Sequence, residues 1–300
     1  MLDGIVNRHR DRILACEFGE SYIDRQKYNP YMTHDAQNIT RSALGRVESM
    51  LLAKAALQPT FSIQEAKAFL GPNRARHARQ ILARLRKKGW IERIQRGRFA
   101  VIPLSSGDVR TPQIHEFLIA MELVRPAAIA YFSAMNYHGM TEQIPRTVFV
   151  ATNHKVRRPI RESLGNSFKI ISLRAPRFFG VQKAWINESP FMITDREKTI
   201  IDGLDQPKNA GGIGIVAAAL ADSWKDLDEV RLREYAGKIG NTAVAKRLGF
   251  LMEALALGDP DRLRASMIFG KGFSRLDPTL PAQGKYNRRW GILVNAKVNA

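Results

Sequence analysis

The sequence has 300 residues, 45% of them hydrophobic and 25% charged, a composition that suits two globular domains with buried cores and excludes disorder over most of the chain. No apolar run approaches the roughly 20 residues that span a bilayer. The first thirty residues have five acidic side chains and no apolar core, so we expect no secretory signal. A single cysteine, Cys16, excludes an internal disulfide and a cysteine-rich zinc site, so we expect a protein of the reducing cytoplasm.

The net charge of +19 is concentrated in one part of the chain. Residues 41–105 carry fourteen basic and three acidic side chains, whereas residues 1–40 carry five and six. Within residues 71–99, ten Arg or Lys side chains accompany one acid, Glu92. Because like charges this dense repel one another, a polyanionic partner is the leading interpretation. A solvated basic face that serves only solubility is the alternative.

Residues 1–40 show weak hydrophobic periodicity, which predicts a short helix near residues 5–16 and then an irregular arm. This arm is either a poorly ordered terminus or a segment that contacts DNA or another subunit.

After the arm, the pattern becomes helical. An apolar stripe predicts a first helix in residues 42–57, ended by Pro59. Ser62 and Glu65 have the spacing of a capping box, which predicts the start of a second helix. The Gly-Pro-Asn sequence at residues 71–73 then breaks the chain.

A third helix is predicted over residues 74–88, and two β-rich runs around Gly97 predict a hairpin after it. Three helices followed by a hairpin are the order of a winged helix-turn-helix. The sequence therefore predicts a DNA-binding domain of this kind over residues 41–104.

The third predicted helix has one apolar and one cationic side. At 100° per residue, Ala78, Ile81, Leu82 and Leu85 gather on one side, and the opposite side is largely basic. Such a helix fits the major groove of B-DNA, where arginine pairs with guanine and glutamine with adenine, while other cations contact phosphates. The predicted DNA-binding residues are Ser62, Asn73, Arg74, Arg76, His77, Arg79, Gln80, Arg84, Lys87, Arg93, Arg96 and Arg98.

Two other roles for this helix are weaker. A basic amphipathic helix can lie on an anionic membrane, but here the apolar side is narrow and rich in alanine, with no Trp or Phe to insert. A metal-binding role for His77 lacks a second ligand three or four residues away. We therefore expect double-stranded DNA as the partner, and no membrane contact.

The remainder of the chain predicts a larger mixed α/β domain over residues 114–300, joined by a linker at 105–113, so that the expected fold class is α+β. Thr194 and Glu197 have capping-box spacing before one of its helices. Helices are predicted in residues 115–123, 127–139, 194–205, 211–222, 228–238 and 241–257. Strands are predicted in residues 146–152, 168–173 and 188–194, with a possible strand pair in 178–187.

Three sequence blocks in this larger part carry a family resemblance. They are "PAAIAYFSAMNYHGMTEQIPRTVFVAT" (126–152), "ITDREKTIIDGLDQPKNAGGI" (193–213) and "RLDPTLPAQGKYNRRWGILVN" (275–295). The blocks resemble the C-terminal domain of the AbiEi family of abortive-infection antitoxins, and the basic segment stands where that family has its DNA-binding domain. The resemblance covers roughly residues 42–300 and leaves residues 1–40 unexplained.

The resemblance implies two functions. The N-terminal domain would repress the promoter of a toxin–antitoxin operon by binding inverted repeats. The C-terminal domain would counteract a cognate toxin that resembles nucleotidyltransferases. Neither activity follows from composition or spacing.

A catalytic role for the larger part has little support in the sequence. Asp195, Glu197, Lys198 and Asp202 might suggest a nuclease metal site, but acids in the first turns of a helix complement its dipole, and Glu197 would complete the cap. The glycine-rich runs at 211–216 and 270–272 lack phosphate-loop spacing, and His138 and His154 lack metal-ligand spacing. Arg288, Arg289 and Trp290 suggest either a DNA or toxin contact or, for Trp290, a structural anchor. We expect no catalytic residue, metal or cofactor.

The sequence leaves three classes of function open. The first is an antitoxin and autorepressor without catalysis. The second is a DNA-processing enzyme that a winged helix delivers to its substrate. The third is a stand-alone transcription factor without a toxin.

Overall fold

The computed structural model describes residues 42–103 and 112–298. The predicted helix at 5–16, the arm and most of the predicted linker lie outside the described residues. Helices and sheets both occur throughout the described part, so the predicted α+β class is confirmed.

Residues 42–103, here called the N-terminal segment, contain four helices and one small sheet. Its elements are α1 (Arg46–Ala55), β1 (Thr60–Ser62), α2 (Ile63–Leu70), α3 (Pro72–Ala75), α4 (Ala78–Lys87), β2 (Ile91–Gln95) and β3 (Arg98–Val101). The strands pair in the order β1-β3-β2, and both pairings are antiparallel. Compared with the predicted order of three helices and a hairpin, the structure has one added strand, β1, and a third helix that is divided in two.

One prediction for the N-terminal segment is wrong in detail. The single helix predicted over residues 74–88 is divided into α3 and α4, with Arg76 and His77 between them. Strand β1 was not predicted; Thr60–Ser62 forms it by pairing with Arg98–Ala100. The capping box is confirmed: Ser62 Oγ accepts from the backbone N–H of Glu65 at 3.1 Å, and the Ser62 N–H donates to Glu65 Oε2 at 2.6 Å.

The apolar stripe of α4 holds the N-terminal segment together. Ala78, Ile81, Leu82 and Leu85 are all buried, as predicted. They pack against Phe61 of β1 and against apolar side chains of α1 and α2. Burial of each large aliphatic side chain contributes roughly 1.5–3 kcal/mol. Because this side of α4 faces the core, its opposite side must face outward.

Residues 112–298, here called the C-terminal segment, contain a six-stranded sheet. Its strands are β4 (Ala128–Ile129), β5 (Thr147–Thr152), β6 (Ile160–Ser163), β7 (Asn166–Ser172), β8 (Val181–Ile186) and β9 (Ser189–Thr194), in the spatial order β6-β7-β5-β4-β9-β8. Two helices accompany them, α5 (Glu116–Leu123) and α6 (Tyr131–Tyr137). The helix predicted from residue 127 therefore starts later, because Ala128 and Ile129 pair with β5 and β9. The possible strand pair in 178–187 is one strand, β8, and β6 was not predicted.

A helical layer and a second small sheet complete the C-terminal segment. The helices are α7 (Arg196–Asp205), α8 (Ile213–Asp222), α9 (Glu229–Lys238), α10 (Thr242–Ala254) and α11 (Pro260–Ser266). The small sheet is formed by β10 (Ser274–Arg275), β11 (Lys285–Asn287) and β12 (Ile292–Val294), in the order β10-β12-β11. Neither α11 nor this sheet was predicted.

The predicted cap of α7 is also wrong. The N-cap is Asp195, whose Oδ1 accepts from the Lys198 N–H at 2.7 Å. Thr194 instead places its hydroxyl 2.8 Å from the Thr199 hydroxyl. Glu197 accepts from the backbone N–H of Asp228 at 2.8 Å, so it joins α7 to the start of α9 rather than completing a cap.

The two segments share one hydrophobic core at their junction. Ile94 of β2 and Ala100 of β3 pack into the same buried cluster as Phe117 and Leu123 of α5. The hairpin is therefore fixed to the C-terminal segment and is not an independent projection. Among the residues that the structure describes, no helix combines the length and the apolar character that crossing a membrane requires.

Candidate nucleic-acid interface

The outward side of α4 is a continuous exposed surface. It consists of Arg79, Gln80, Ala83, Arg84 and Lys87, all exposed, and we call it the outward face. Within the described part of the chain, no ion pair or hydrogen bond engages the side chains of Arg79, Gln80 or Lys87. The outward face therefore offers three cations, one amide and a small alanine that permits close approach to a groove floor.

The break between α3 and α4 presents further polar groups beside the outward face. Asn73, Arg74, Arg76 and His77 are exposed. His77 is the N-cap residue of α4, and Arg76 Nε donates to His77 Nε2 at 2.9 Å. These side chains stand just before the first turn of α4. Helical periodicity had predicted Arg76 and His77 within the helix.

A buried carboxylate, Glu48 of α1, organises the cations at the other end of α4. Glu48 Oε2 accepts from Lys88 Nζ at 2.6 Å, and Glu48 Oε1 lies 3.5 Å from Arg84 Nε. The backbone N–H of Gly45 also donates to Glu48, at 3.0 Å. Burial alone would raise the pKa of Glu48, but the hydrogen bonds from Lys88 and Gly45 and the nearby positive charges outweigh it and lower that pKa.

The ion pair with Glu48 qualifies the predicted role of Arg84. Its side chain remains 62% exposed, so the guanidinium can still reach a phosphate group while Glu48 limits its orientation. Lys88, in contrast, is held by Glu48 and by the Ala43 carbonyl at 2.8 Å. One cation at the end of α4 is therefore structural and the other is accessible.

The three arginines of the hairpin differ in their surroundings. Arg93 and Arg96 are exposed, and among the described residues neither side chain has a hydrogen-bond or ion-pair partner. Arg98 is only 26% exposed; its Nε lies 3.2 Å from Glu122 Oε2 and its Nη1 lies 4.0 Å from Glu65 Oε2. The side chains of Arg93 and Arg96 are therefore accessible, whereas Arg98 is committed to internal carboxylates.

Glu122 connects all three strands of the N-terminal sheet to α5. Its Oε1 accepts from Thr60 Oγ1 of β1 at 2.9 Å, its Oε2 pairs with Arg98 of β3, and its backbone carbonyl accepts from Gln95 Nε2 of β2. Arg125 also pairs with Glu122, with Nη2 3.2 Å from Oε1. One nearly buried residue therefore helps to set the orientation of the hairpin relative to the C-terminal segment.

Strand β6 supports the hairpin from a second direction. Ser163 Oγ donates to the Ile94 carbonyl at 2.9 Å, and Arg161 Nη1 donates to Gln95 Oε1 at 3.2 Å. Arg161 Nη1 also donates to the Leu123 carbonyl at 2.9 Å. The hairpin is thus held by side-chain contacts from both α5 and β6.

The charged cluster of α7 is an internal pair and not an open site. Lys198 and Asp202 are each 1% exposed and form a short buried ion pair. Burial raises the pKa of Asp202 to about 6, although the charge and hydrogen bond of Lys198 act in the opposite direction. Across residues 42–103 and 112–298, no three His, Cys, Asp or Glu side chains come together as metal ligands would.

Trp290 anchors the small sheet. It is buried, its Nε1 donates to Glu253, and its ring lies so close to Gly249 that a Cβ atom there would be 2.1 Å away. Of the two roles considered for Trp290, the anchor is the one that the structure supports. Arg289 also pairs with Glu253, with Nε 3.3 Å from Oε2, whereas Arg288 is exposed.

The N-terminal segment matches a known protein family. Residues 49–102 match the family model described as "Transcriptional regulator, AbiEi antitoxin". The matched residues include most of α1 and all later elements of the N-terminal segment through β3. They therefore include both the outward face and the hairpin. The resemblance to AbiEi antitoxins is confirmed for this part of the chain, and the family is one of transcriptional regulators.

Most of the chain also resembles a solved structure. The crystal structure of the RV2827C protein from Mycobacterium tuberculosis aligns with a TM-score of 0.59 at 14% identity, covering 85% of this chain and 93% of that chain. At this identity the likeness shows a shared fold and carries no conclusion about ligands. No curated protein matches the sequence.

Two residues of the interface were missed from the sequence, Glu48 and Glu122. Glu48 was visible as one of only three acids in residues 41–105, and an acid inside such a basic segment is a signal for an internal ion pair. Glu122 gives no such signal, because its partners in the N-terminal sheet lie 24 to 62 residues earlier in the chain.

Proposed function

We propose that this protein is a DNA-binding autorepressor and antitoxin, in which residues 41–104 form the DNA-binding winged helix-turn-helix and residues 114–300 the antitoxin domain, joined by residues 105–113. The outward face of α4 is the observation that carries the proposal. The side chains of Arg79, Gln80 and Lys87 on this face are exposed, and the apolar side of α4 is buried in the core. The match of residues 49–102 to a regulator family supports the same role.

In this proposal α4 lies in the major groove. Gln80 and Arg79 contact base edges, and Arg76 and His77 reach the groove from the N-terminal end of α4. Ser62, Asn73 and Arg74 lie at or near the sugar–phosphate backbone of the DNA. Phosphate contacts come from Arg84, Lys87, Arg93 and Arg96. Arg98, in contrast to the sequence prediction, does not contact DNA in this proposal but positions the hairpin through its ion pair with Glu122.

The regulatory part is tested by measuring binding to DNA from upstream of the gene. Fluorescence anisotropy with labelled duplexes tiled across that region should find one tight site with inverted repeats, and footprinting should map it. Binding to random duplexes should be weaker by a factor of about 10³ or more at physiological salt. Equal affinity for every duplex would contradict a role as a specific repressor.

The antitoxin part is tested by co-expression with the neighbouring gene. We expect that gene to encode a nucleotidyltransferase-like toxin that stops growth alone and is tolerated with this protein. A variant with Arg79→Gln and Lys87→Gln should lose repression and keep protection, since both substitutions lie on the exposed outward face. Absence of such a gene, or of any protection, would leave a transcription factor without a toxin.

A further inference from the structure

A second surface with nucleic-acid-binding chemistry lies on the small C-terminal sheet. Phe273, just before β10, and Tyr286, in β11, are 50% and 62% exposed, and their ring centroids are 4.7 Å apart at an interplanar angle of 64°. Large exposed aromatic side chains are unusual on this protein: within residues 42–103 and 112–298, Trp185 is the other one of comparable exposure. We call Phe273 and Tyr286 the aromatic pair.

Exposed cations accompany the aromatic pair. Arg288 follows Tyr286 by two residues and Lys271 precedes Phe273 by two. Arg275 of β10 and Tyr286 of β11 both pair with Leu293 of β12, so their side chains share one face of the small sheet. All three are exposed, and none has a carboxylate within ion-pair distance in the described part of the chain. The nearest acid in sequence, Asp277, is buried and accepts from the backbone of Ile213 and Thr279. The surface is therefore aromatic and positively charged.

The backbone beneath the aromatic pair is held in place. Lys246 Nζ donates to the Gly272 carbonyl at 2.7 Å, and the Ser274 N–H donates to the Gly291 carbonyl at 2.9 Å. Tyr286 pairs across the sheet with Leu293, and Asn287 Oδ1 accepts from the backbone N–H of Trp290 at 3.0 Å, beside the buried indole. Because these contacts fix both strands, the rings are presented without further ordering of the chain.

We propose that the aromatic pair and its three cations form a binding surface for single-stranded nucleic acid. Unpaired bases stack on exposed aromatic rings, and the adjacent phosphates are attracted to nearby Lys and Arg side chains. Duplex DNA hides its base faces, so the rings give it no advantage. The surface rests on the small sheet of the C-terminal segment, whereas the outward face of α4 belongs to the N-terminal segment, so the proposal does not depend on the function proposed for that face.

The test uses the full chain and a labelled 15-nucleotide oligouridylate, with oligothymidylate in parallel to separate RNA from DNA preference. Both Arg79→Gln and Lys87→Gln are introduced in every protein so that α4 does not contribute. Anisotropy should show salt-dependent binding. Tyr286→Ala and Phe273→Ala should each lower the affinity about tenfold, Tyr286→Phe should retain it, and Arg288→Gln should reduce the slope of log K against log salt by about 0.7.

Trp185→Ala is the matched control, because Trp185 is 54% exposed and also lies beside a lysine, with Lys183 Nζ 4.3 Å from its ring centroid. We expect this variant to bind both oligonucleotides like the parent protein. Unchanged affinity after loss of both rings, equal losses in the Trp185 control, or no binding by the parent protein would each overturn the proposal. Duplex binding by the wild-type chain is measured separately, so failure here leaves the autorepressor role intact.

Discussion

Arg98 of the hairpin and Glu122 of α5 form an ion pair that joins the N-terminal to the C-terminal segment, with 3.2 Å between Arg98 Nε and Glu122 Oε2. Two residues earlier, Arg96 stands at the exposed turn of the same hairpin without a partner among the described residues. One arginine therefore holds the hairpin and the other is available to DNA.

This difference predicts opposite effects of two neighbouring substitutions. Arg96→Ala should weaken binding to all DNA sequences alike and reduce the salt slope by about one, because one phosphate contact is lost. Arg98→Ala should leave the salt slope nearly unchanged and lower the free energy of unfolding by about 1–3 kcal/mol, because Glu122 loses a partner. Salt titrations and urea unfolding of both variants measure this. A reduced slope for Arg98→Ala would show that it contacts phosphate.

Glu48 makes the stability of the N-terminal segment depend on pH. Its folded-state pKa is lower than its ordinary value of 4.5, so its contribution is present above that value and is lost as the pH falls through the folded pKa. Glu48→Gln should therefore destabilise the protein at pH 7, and the difference from wild type should shrink below about pH 4.5. Glu188→Gln, at an exposed acid, is the control and should leave the stability at pH 7 nearly unchanged. A difference that is constant with pH would contradict the role of Glu48.

The Lys198–Asp202 pair is expected to be structural. Lys198→Met should lower the free energy of unfolding by about 3–5 kcal/mol, because it leaves a buried carboxylate without its partner. Replacing both residues, as Lys198→Met with Asp202→Leu, should recover much of the loss. Urea unfolding checks the stability, and a nuclease assay with divalent metal checks the competing catalytic interpretation. If the wild-type protein cleaves DNA in a metal-dependent manner and the double variant is folded but does not, the enzyme interpretation would be favoured.

Gly249 is required by the close approach of Trp290. Gly249→Ala would place a Cβ atom 2.1 Å from the indole, so we expect a loss of stability of about 1–3 kcal/mol or more. Gly214 provides the matched control, since it also lies in a helix but a Cβ atom added there would have nothing within 4 Å, and Gly214→Ala should be neutral or slightly stabilising. Similar melting temperatures for the two variants would mean that Trp290 is not a fixed anchor.

Local patterns allowed much of the N-terminal segment to be predicted. The capping box of α2 and the apolar stripe of α4 each depend on residues three or four positions apart, and both are present as expected. Strand β1, in contrast, has three residues, and its conformation depends on pairing with Arg98–Ala100, more than thirty residues later. The alanine-rich residues before α6 likewise favoured a helix. Ala128 and Ile129 instead form strand β4, because they pair with β5 and β9.

The candidate interface was predictable to a similar extent. Exposure of Arg79, Gln80 and Lys87 follows from helical periodicity, which fixes the side opposite the apolar stripe. The role of Arg98 could not be inferred, because Glu122 is distant in sequence and only the packing of β3 against α5 brings the two together. The cap of α7 was ambiguous locally, since Thr194 and Asp195 are adjacent and both residue types cap helices.

The most direct test of groove recognition by α4 compares Gln80→Ala with Arg86→Ala on operator and random duplexes. Gln80 lies on the outward face, whereas Arg86 is an exposed cation of the same helix that pairs with Glu92 at 3.1 Å, off that face. Gln80→Ala should weaken operator binding by about 1–3 kcal/mol and leave random-duplex binding nearly unchanged, so that the specificity ratio falls. Arg86→Ala should preserve that ratio. If Gln80→Ala weakens binding to operator and random duplexes equally, or weakens binding to neither of them, α4 does not read the groove and the central claim is wrong.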